Sequence, residues 1–255
     1  MNKITLGVLF GGVSSEHDIS TVSAKGILSA IDKEKYNLVL LGITKEGRWF
    51  LFDDDIDLLP EDRWLTSPSL VPAWISPDRS VHGVVTAKGD TIRLDAVFPV
   101  LHGKNGEDGT LQGLFELAGI PVVGCDTLSS ALCMDKDKAH KLVSLAGISV
   151  PKSVTFKFSG KKAALKKIEK ELSYPLFVKP VRAGSSFGIT KVTKQQELEN
   201  AIQLAFEHDA EVIVEETING FEVGCAVLGI DELIVGRIDE IELSSGFFDY
   251  TEKYT

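Results

Sequence analysis

The chain's 255 residues are enough for two domains with a large buried core. Hydrophobic residues make up 44% and charged residues 25%, an ordinary globular balance, and no apolar run approaches the roughly 18–20 residues of a membrane span. A formal net charge of −10, from 27 Lys+Arg against 37 Asp+Glu, argues against nucleic acid or an anionic membrane as a partner.

In chain order, Ile4–Phe10 is a short apolar run that ends at Gly11-Gly12 with no small-residue cleavage pattern, so it predicts a first strand and not a signal peptide. Cys125, Cys133 and Cys225 are too few and too scattered for a disulfide framework or a CxxC metal site, and the expected compartment is the cytoplasm. Ala24, Ile27, Leu28 and Ile31 recur at i, i+3, i+4, i+7 and predict an amphipathic helix. Tyr36–Ile43 returns to strand character, giving the β–loop–α–β opening of an open parallel α/β sheet. Residues 46–90 read as less regular, with loops and insertions; Asp53-Asp54-Asp55 with Asp57 reads as a solvated turn. Asp95–Leu101 is a further buried strand, residues 102–109 a polar loop, and Leu111, Leu114, Phe115 and Ala118 a helix. Ile120–Val123 reads as another strand. Thr127–Leu145 reads as one helix stopped by Gly147. The predicted division is an amino-terminal domain over residues 1–148 and an α+β domain over 149–255.

In the second part Ser153–Phe158 predicts a strand. A helix follows whose Leu165, Ile168 and Leu172 share one face, which makes Lys161, Lys162, Lys166, Lys167 and Lys170 its solvated side. Leu176–Val178 and Ile189–Val192 are strands around a glycine-rich loop. Leu198, Ala201, Ile202, Ala205 and Phe206 mark a helix, with Thr193 and Gln196 as a capping box. Glu211–Glu215, Glu222–Leu228 and Glu232–Ile238 are three closely spaced strands, which predict an antiparallel sheet.

Four loops carry residues suited to chemistry. Gly11–His17 lies after a strand and before a helix, where an open α/β sheet gathers ligands. It lacks G-x-G-x-x-G, and Glu16 there could hold a ligand ammonium or, with Asp18, cap the helix. His102–Gly109 has three glycines in eight residues; His102 could orient a small ligand, His102 with Glu107 and Asp108 could bind a metal, or the acids could cap the next helix. In Phe177–Gly188 a lysine, Lys179, precedes a Gly/Ser loop, a pairing of cation and backbone N–H groups that suits polyphosphate, although a plain hairpin turn would look similar. It is not a P-loop, because the lysine comes first. Lys136 could be a second phosphate contact or a helix-surface lysine. Phe247–Tyr254 is an aromatic, charged loop.

Taken together, FGG-x-S-x-E, LHGKNGEDGTLQG, the MDK step, FVKP-x-R-x-GSS-x-G and FFDYTEKY resemble, in order and spacing, the D-alanine–D-alanine ligase family of the ATP-grasp superfamily. FPVLHGKNGEDGTLQG, VVGCDTLSSALCMDKD and GSSFGI look most like the VanG-type ligases of vancomycin resistance, which make D-alanyl-D-serine for modified peptidoglycan precursors. The resemblance implies that ATP phosphorylates the first D-alanine and that the amine of D-serine or a second D-alanine attacks the acyl phosphate. It implies that Glu16 holds the first ammonium, with His102 beside the carboxylate. Lys136, Lys179 and Lys253 would contact phosphates, with Ser186 and its neighbouring amides covering them. Ser185 and Tyr254 would join Glu16 in a hydrogen-bonded triad, and Glu215 and Glu222 would hold the adenine and ribose end. Residues 247–254 would form a lid over the reactive intermediate. Relatives that use D-lactate carry a histidine where this chain has the tyrosine-containing DYTEKY, so the expected nucleophile is an amino acid. The family's Mg2+ (or Mn2+) ligands would lie beyond Thr255, which leaves no metal residue to name and an expectation of impaired activity unless more chain is present. The resemblance also implies a homodimer. The rival expectation is an inactive fragment that only binds D-alanine or nucleotide.

Overall fold

The computed structural model describes residues 3–242. It divides into two compact units, one running to Ala146 and including Arg182–Gly184, the other comprising Gly147–Val181 and the chain from Ser185 on.

The first unit is built on a seven-stranded sheet. Its centre is β1 (Ile4–Gly11), paired in parallel with β2 (Tyr36–Ile43) on one side and β7 (Ala96–Pro99) on the other. β3 (Trp49–Phe52), β4 (Val71–Ile75), β5 (Gly83–Thr86) and β6 (Thr91–Arg93) continue outward from β2 as an antiparallel meander. The less regular region expected over residues 46–90 does hold long loops and short 3-10 turns, but it also contributes β3, β4 and β5 to the sheet. The meander's strands are only three to five residues long, too short to print a clear alternation.

Both faces of β1 are covered, which explains its near-continuous apolar sequence. Leu6, Val8 and Phe10 pack with Ala24 and Leu28 of α1 (His17–Ala30) and with the buried Trp64. Leu9 joins Leu41, Ile43 and Val97 against Leu111 and Phe115 of α2 (Thr110–Ala118). Trp64 sits edge-on to Phe10, Phe50 and Phe52, with centroids 5.0, 6.4 and 6.4 Å away. It fills the space a side chain would need at position 42: a Cβ on Gly42 would lie 2.5 Å from the indole.

The expected single helix over Thr127–Leu145 is two, α3 (Thr127–Met134) and α4 (Lys136–Leu145). Asp135 between them is extended, and its carboxylate accepts the Lys138 N–H at 3.0 Å, an N-cap that restarts the helix. Ile120–Val123 contributes only an isolated parallel bridge, Val97 to Val122.

The second unit contains a four-stranded antiparallel sheet in the order β10-β9-β11-β8, formed by β8 (Ser153–Lys157), β9 (Leu176–Pro180), β10 (Thr190–Val192) and β11 (Glu211–Glu216). Val154, Phe156, Leu176, Val178, Val192, Val212 and Val214 form one apolar face. That face packs on Ala164 and Ile168 of α5 (Lys161–Glu171) and Leu198, Ala201, Ile202 and Ala205 of α6 (Gln195–His208). The capping at α6 differs from expectation: Thr193 donates through its N–H and hydroxyl to Glu197, at 3.0 and 3.1 Å, so Gln196 is not the partner. The three strands expected to form one sheet separate. β11 inserts between β8 and β9, while β12 (Glu222–Leu228) and β13 (Ile234–Ile241) form their own two-stranded sheet. The last of these strands also begins two residues later than predicted.

Candidate active site

In the first unit the parallel strands deliver two loops to their carboxyl edge. β1 ends in Gly11 and Gly12, at φ 86° and 100°. A Cβ on Gly11 would lie 2.2 Å from the Ile43 carbonyl oxygen, so the turn requires glycine. Gly11 N–H donates to Ser20 Oγ at 2.8 Å, Gly12 N–H to Ile43 O at 2.9 Å, and Ser20 Oγ donates to Val100 O. These bonds fix the start of α1 against β2 and the end of the β7 segment.

Glu16 is the residue before α1, and its side chain makes no capping bond there. It is 4% exposed. Its carboxylate points towards Gly103: a Cβ on Gly103 would come 2.2 Å from Glu16 Oε2, and one on Gly184 would come 2.9 Å from it. The capping role left open for Glu16 is thus not the one it plays. Asp18 instead pairs with Lys45 at 2.7 Å.

His102 is half-buried at the start of the second loop, and its Nε2 lies 3.4 Å from Ser23 Oγ on α1. Ser14 ties the two loops together, donating from Oγ to His102 O at 2.8 Å and accepting the Glu16 N–H at 2.9 Å. The acids of the second loop serve the loop itself. Glu107 accepts the Gly103 N–H at 2.7 Å, and Asp108 accepts those of Asn105 and Thr110 at 2.9 and 3.0 Å. That arrangement favours the turn-and-cap reading over a His102–Glu107–Asp108 metal site. A pocket of about 350 Å³ opens beside both loops, lined by Gly12, Val13, Trp49, Leu101, His102 and Leu111 among others.

Lys136 opens α4, and its Nζ donates to Ala183 O at 2.7 Å, so it is directed at the Arg182–Gly184 stretch and is not a solvent-facing helix lysine.

The second unit gathers a different set. Phe177 and Lys179 alternate with the core residues of β9 and so face away from α5 and α6. Glu215 of β11 lies opposite Phe177 in the register, is 2% exposed, and pairs with Lys179 Nζ at 2.5 Å. Lys179 and Lys191 both approach the Phe177 ring, at 5.6 and 5.8 Å from its centroid. After β9 the backbone turns left-handed at Ser185 (φ 42°), Ser186 (φ 61°) and Gly188 (φ 67°). Glu222 begins β12 in the separate two-stranded sheet and is exposed. Lys253 and Tyr254, with the expected lid over 247–254, lie outside the described residues.

Magnesium would need several oxygen donors in octahedral array. Among the described residues, the single group of three or more metal-ligating side chains close enough to share an ion is His17, Asp18 and Asp62. His17 Nδ1 lies 2.7 Å from Gly12 O and Nε2 2.8 Å from Asp62 Oδ1, while Lys45 Nζ sits 2.7 Å from Asp18 and 3.4 Å from Asp62. With a lysine cation already between the carboxylates, this is an ion-paired brace and does not fit magnesium. Composition gave no hint of it, because His17 and Asp62 are 45 residues apart. Ser14 was equally hard to single out in a polar run, although a serine two residues before a helix-start glutamate is a recurrent local hydrogen-bonding motif.

Known proteins carry the same framework. A family model described as D-ala D-ala ligase N-terminus matches residues 5–125, and one described as D-ala D-ala ligase C-terminus matches residues 142–255. A D-alanine–D-alanine ligase of Caldicellulosiruptor bescii is 48% identical over 263 residues, spanning 100% of this chain and 71% of that protein. The vancomycin B-type resistance protein VanB of Enterococcus faecalis is 48% identical over 252 residues, 97% of this chain and 70% of its own. The crystal structure of VanG D-Ala:D-Ser ligase from Enterococcus faecalis superposes with a TM-score of 0.91 at 65% identity, over 100% of this chain and 74% of that one. With both family models matched and this level of identity over the whole chain, the protein belongs to the D-alanine–D-alanine ligase family, which includes the vancomycin-resistance ligases.

Proposed function

We propose that the chain acts in the cytoplasm as an ATP-dependent ligase that joins D-alanine to D-serine through a D-alanyl phosphate. The observation that carries the first half of this reading is Glu16: a buried carboxylate at the start of α1 that faces the backbone of Gly103 and Gly184. A carboxylate so enclosed is a partner for the ammonium of a small amino acid, where a charge-assisted hydrogen bond contributes about 1.5–3 kcal/mol. His102, coupled to the same loop through Ser14, would lie beside the substrate carboxylate.

For phosphoryl transfer the enzyme must position two anions and offset their charge. Lys136 and Lys179 would supply cations, and the left-handed Ser185–Ser186 turn would offer main-chain N–H groups to phosphate oxygens. Glu215, and Glu222 after it, would hold the adenosine end; Lys253 would add a further cation. The γ-phosphoryl group passes to the D-alanine carboxylate and ADP leaves. The amine of the second substrate then attacks the acyl carbon, and inorganic phosphate departs from the tetrahedral intermediate with loss of the amine proton. Ser185 and Tyr254, with Glu16, are the groups proposed to hold this geometry. Magnesium would offset the phosphate charge during the transfer; the described residues provide no ligand set that fits it.

D-Serine as the second substrate is supported by the 65% identity to a D-Ala:D-Ser ligase and by the amino-acid-type DYTEKY sequence. The test is ADP formation by the full-length protein. ADP release should require D-alanine, should increase with D-serine, and should fall at least tenfold in a Glu16→Gln variant at low D-alanine. ADP release indifferent to D-alanine would exclude the assignment. A homodimer is the assembly we propose, to be checked by sedimentation.

A further inference from the structure

We propose that Ser14 is a positioning residue for the first D-alanine, the strut that sets the separation between Glu16 and His102. The inference rests on the reading of Glu16 and His102 as that substrate's anchors. Ser14 has one hydroxyl proton, which it gives to His102 O at 2.8 Å, and a lone pair, which receives the Glu16 N–H at 2.9 Å. One oxygen therefore couples the main chains of two residues that lie on loops after different strands and are 86 positions apart (102 − 16). Ser14 O also accepts the His17 N–H at 3.3 Å, which keeps the serine in step with the start of α1.

The chemistry makes this separation matter. The ammonium and carboxylate of an α-amino acid stand a fixed distance apart, so both anchors can engage one molecule only at a matching spacing. A misplacement of about 1 Å can cost on the order of a hundredfold in rate. Ser14 is only half-buried, so water can take over its two hydrogen bonds when the hydroxyl is removed. Removal should therefore loosen the spacing between the anchors without unfolding the unit. Ser15, exposed and next in the chain, makes a matched control.

The experiment is steady-state ligation by the full-length protein with D-serine saturating, for the Ser14→Ala, Ser14→Thr and Ser15→Ala variants, with melting temperatures alongside. In Ser14→Ala the KM for the first D-alanine should rise about tenfold or more, while the KM for ATP and the melting temperature stay near wild type. Ser14→Thr, which keeps the hydroxyl, should recover most of the loss, and Ser15→Ala should match wild type. An unchanged D-alanine KM in Ser14→Ala overturns the proposal. So does a threonine variant no better than alanine, or a rise shared equally by ATP with a fall in melting temperature. Wild-type protein without D-alanine-dependent turnover would remove the functional reading and this role together. Normal wild-type turnover with an indifferent Ser14→Ala would remove the role alone.

Discussion

Gly103 sits where two requirements meet. Its φ of 68° is left-handed, which costs a side-chain-bearing residue about 1–2 kcal/mol, and its α-carbon faces the Glu16 carboxylate. In Gly103→Ala the new methyl group would stand 2.2 Å from Glu16 Oε2, so the carboxylate or the loop must move. D-Alanine binding measured by calorimetry should weaken at least tenfold, with a loss of stability of about 1–2 kcal/mol. Retention of wild-type affinity would show that the Glu16 position is not the binding determinant. The three glycines of residues 102–109 already announce a tight path in the sequence. Which of them guards Glu16 was not legible, because the two lie on different loops and meet only through the fold.

At the scale of elements, the brace of His17, Asp62, Lys45 and Asp18 pins the start of α1 to the turn that carries Trp64. Trp64 Nε1–H donates to Asp62 Oδ1 at 3.1 Å. Burial opposes ionisation of Asp62, but hydrogen bonds from His17 and Trp64 and the charges of His17 and Lys45 outweigh it, so the carboxyl titrates below its usual 3.8. A folded-state value below the unfolded one means the contribution is complete above 3.8 and is lost as pH falls through the depressed value. The hydrogen bond to Asp18 holds Lys45 above its ordinary 10.5, so its share persists through neutral pH and ends only as pH rises past that raised value. Asp62→Asn should therefore cost about 1.5–3 kcal/mol near neutrality and almost nothing in strong acid. Melting temperatures that fail to converge in acid would contradict this.

The break between α3 and α4 belongs to the same scale. Asp135→Ala removes the cap at Lys138 and should cost about 0.5–2 kcal/mol, seen in denaturant titration. That break was readable in principle, since an aspartate before Lys136-Asp137 is a good helix start. The overall helical character of both flanking segments concealed it. The brace was not readable, because nothing local connects His17 with Asp62.

Across the whole molecule, periodicity located β1, α1, β2, α2 and the helices and paired strands of the second unit. It missed the meander from β3 to β6, whose strands are too short to show their alternation, and the separation of β11 from β12, which is decided by long-range pairing. The family was legible because five motifs with ordered spacing carry it, and both family models and the VanG structure bear that out. The most direct test of the account is a competition. The full-length protein is supplied with ATP, D-alanine, D-serine and D-lactate at equal concentrations, and the products are weighed by mass spectrometry. The account predicts D-alanyl-D-serine as the main product, with ADP formed in equal amount. A predominance of D-alanyl-D-lactate near neutral pH, or ADP without any D-alanyl product, would contradict it.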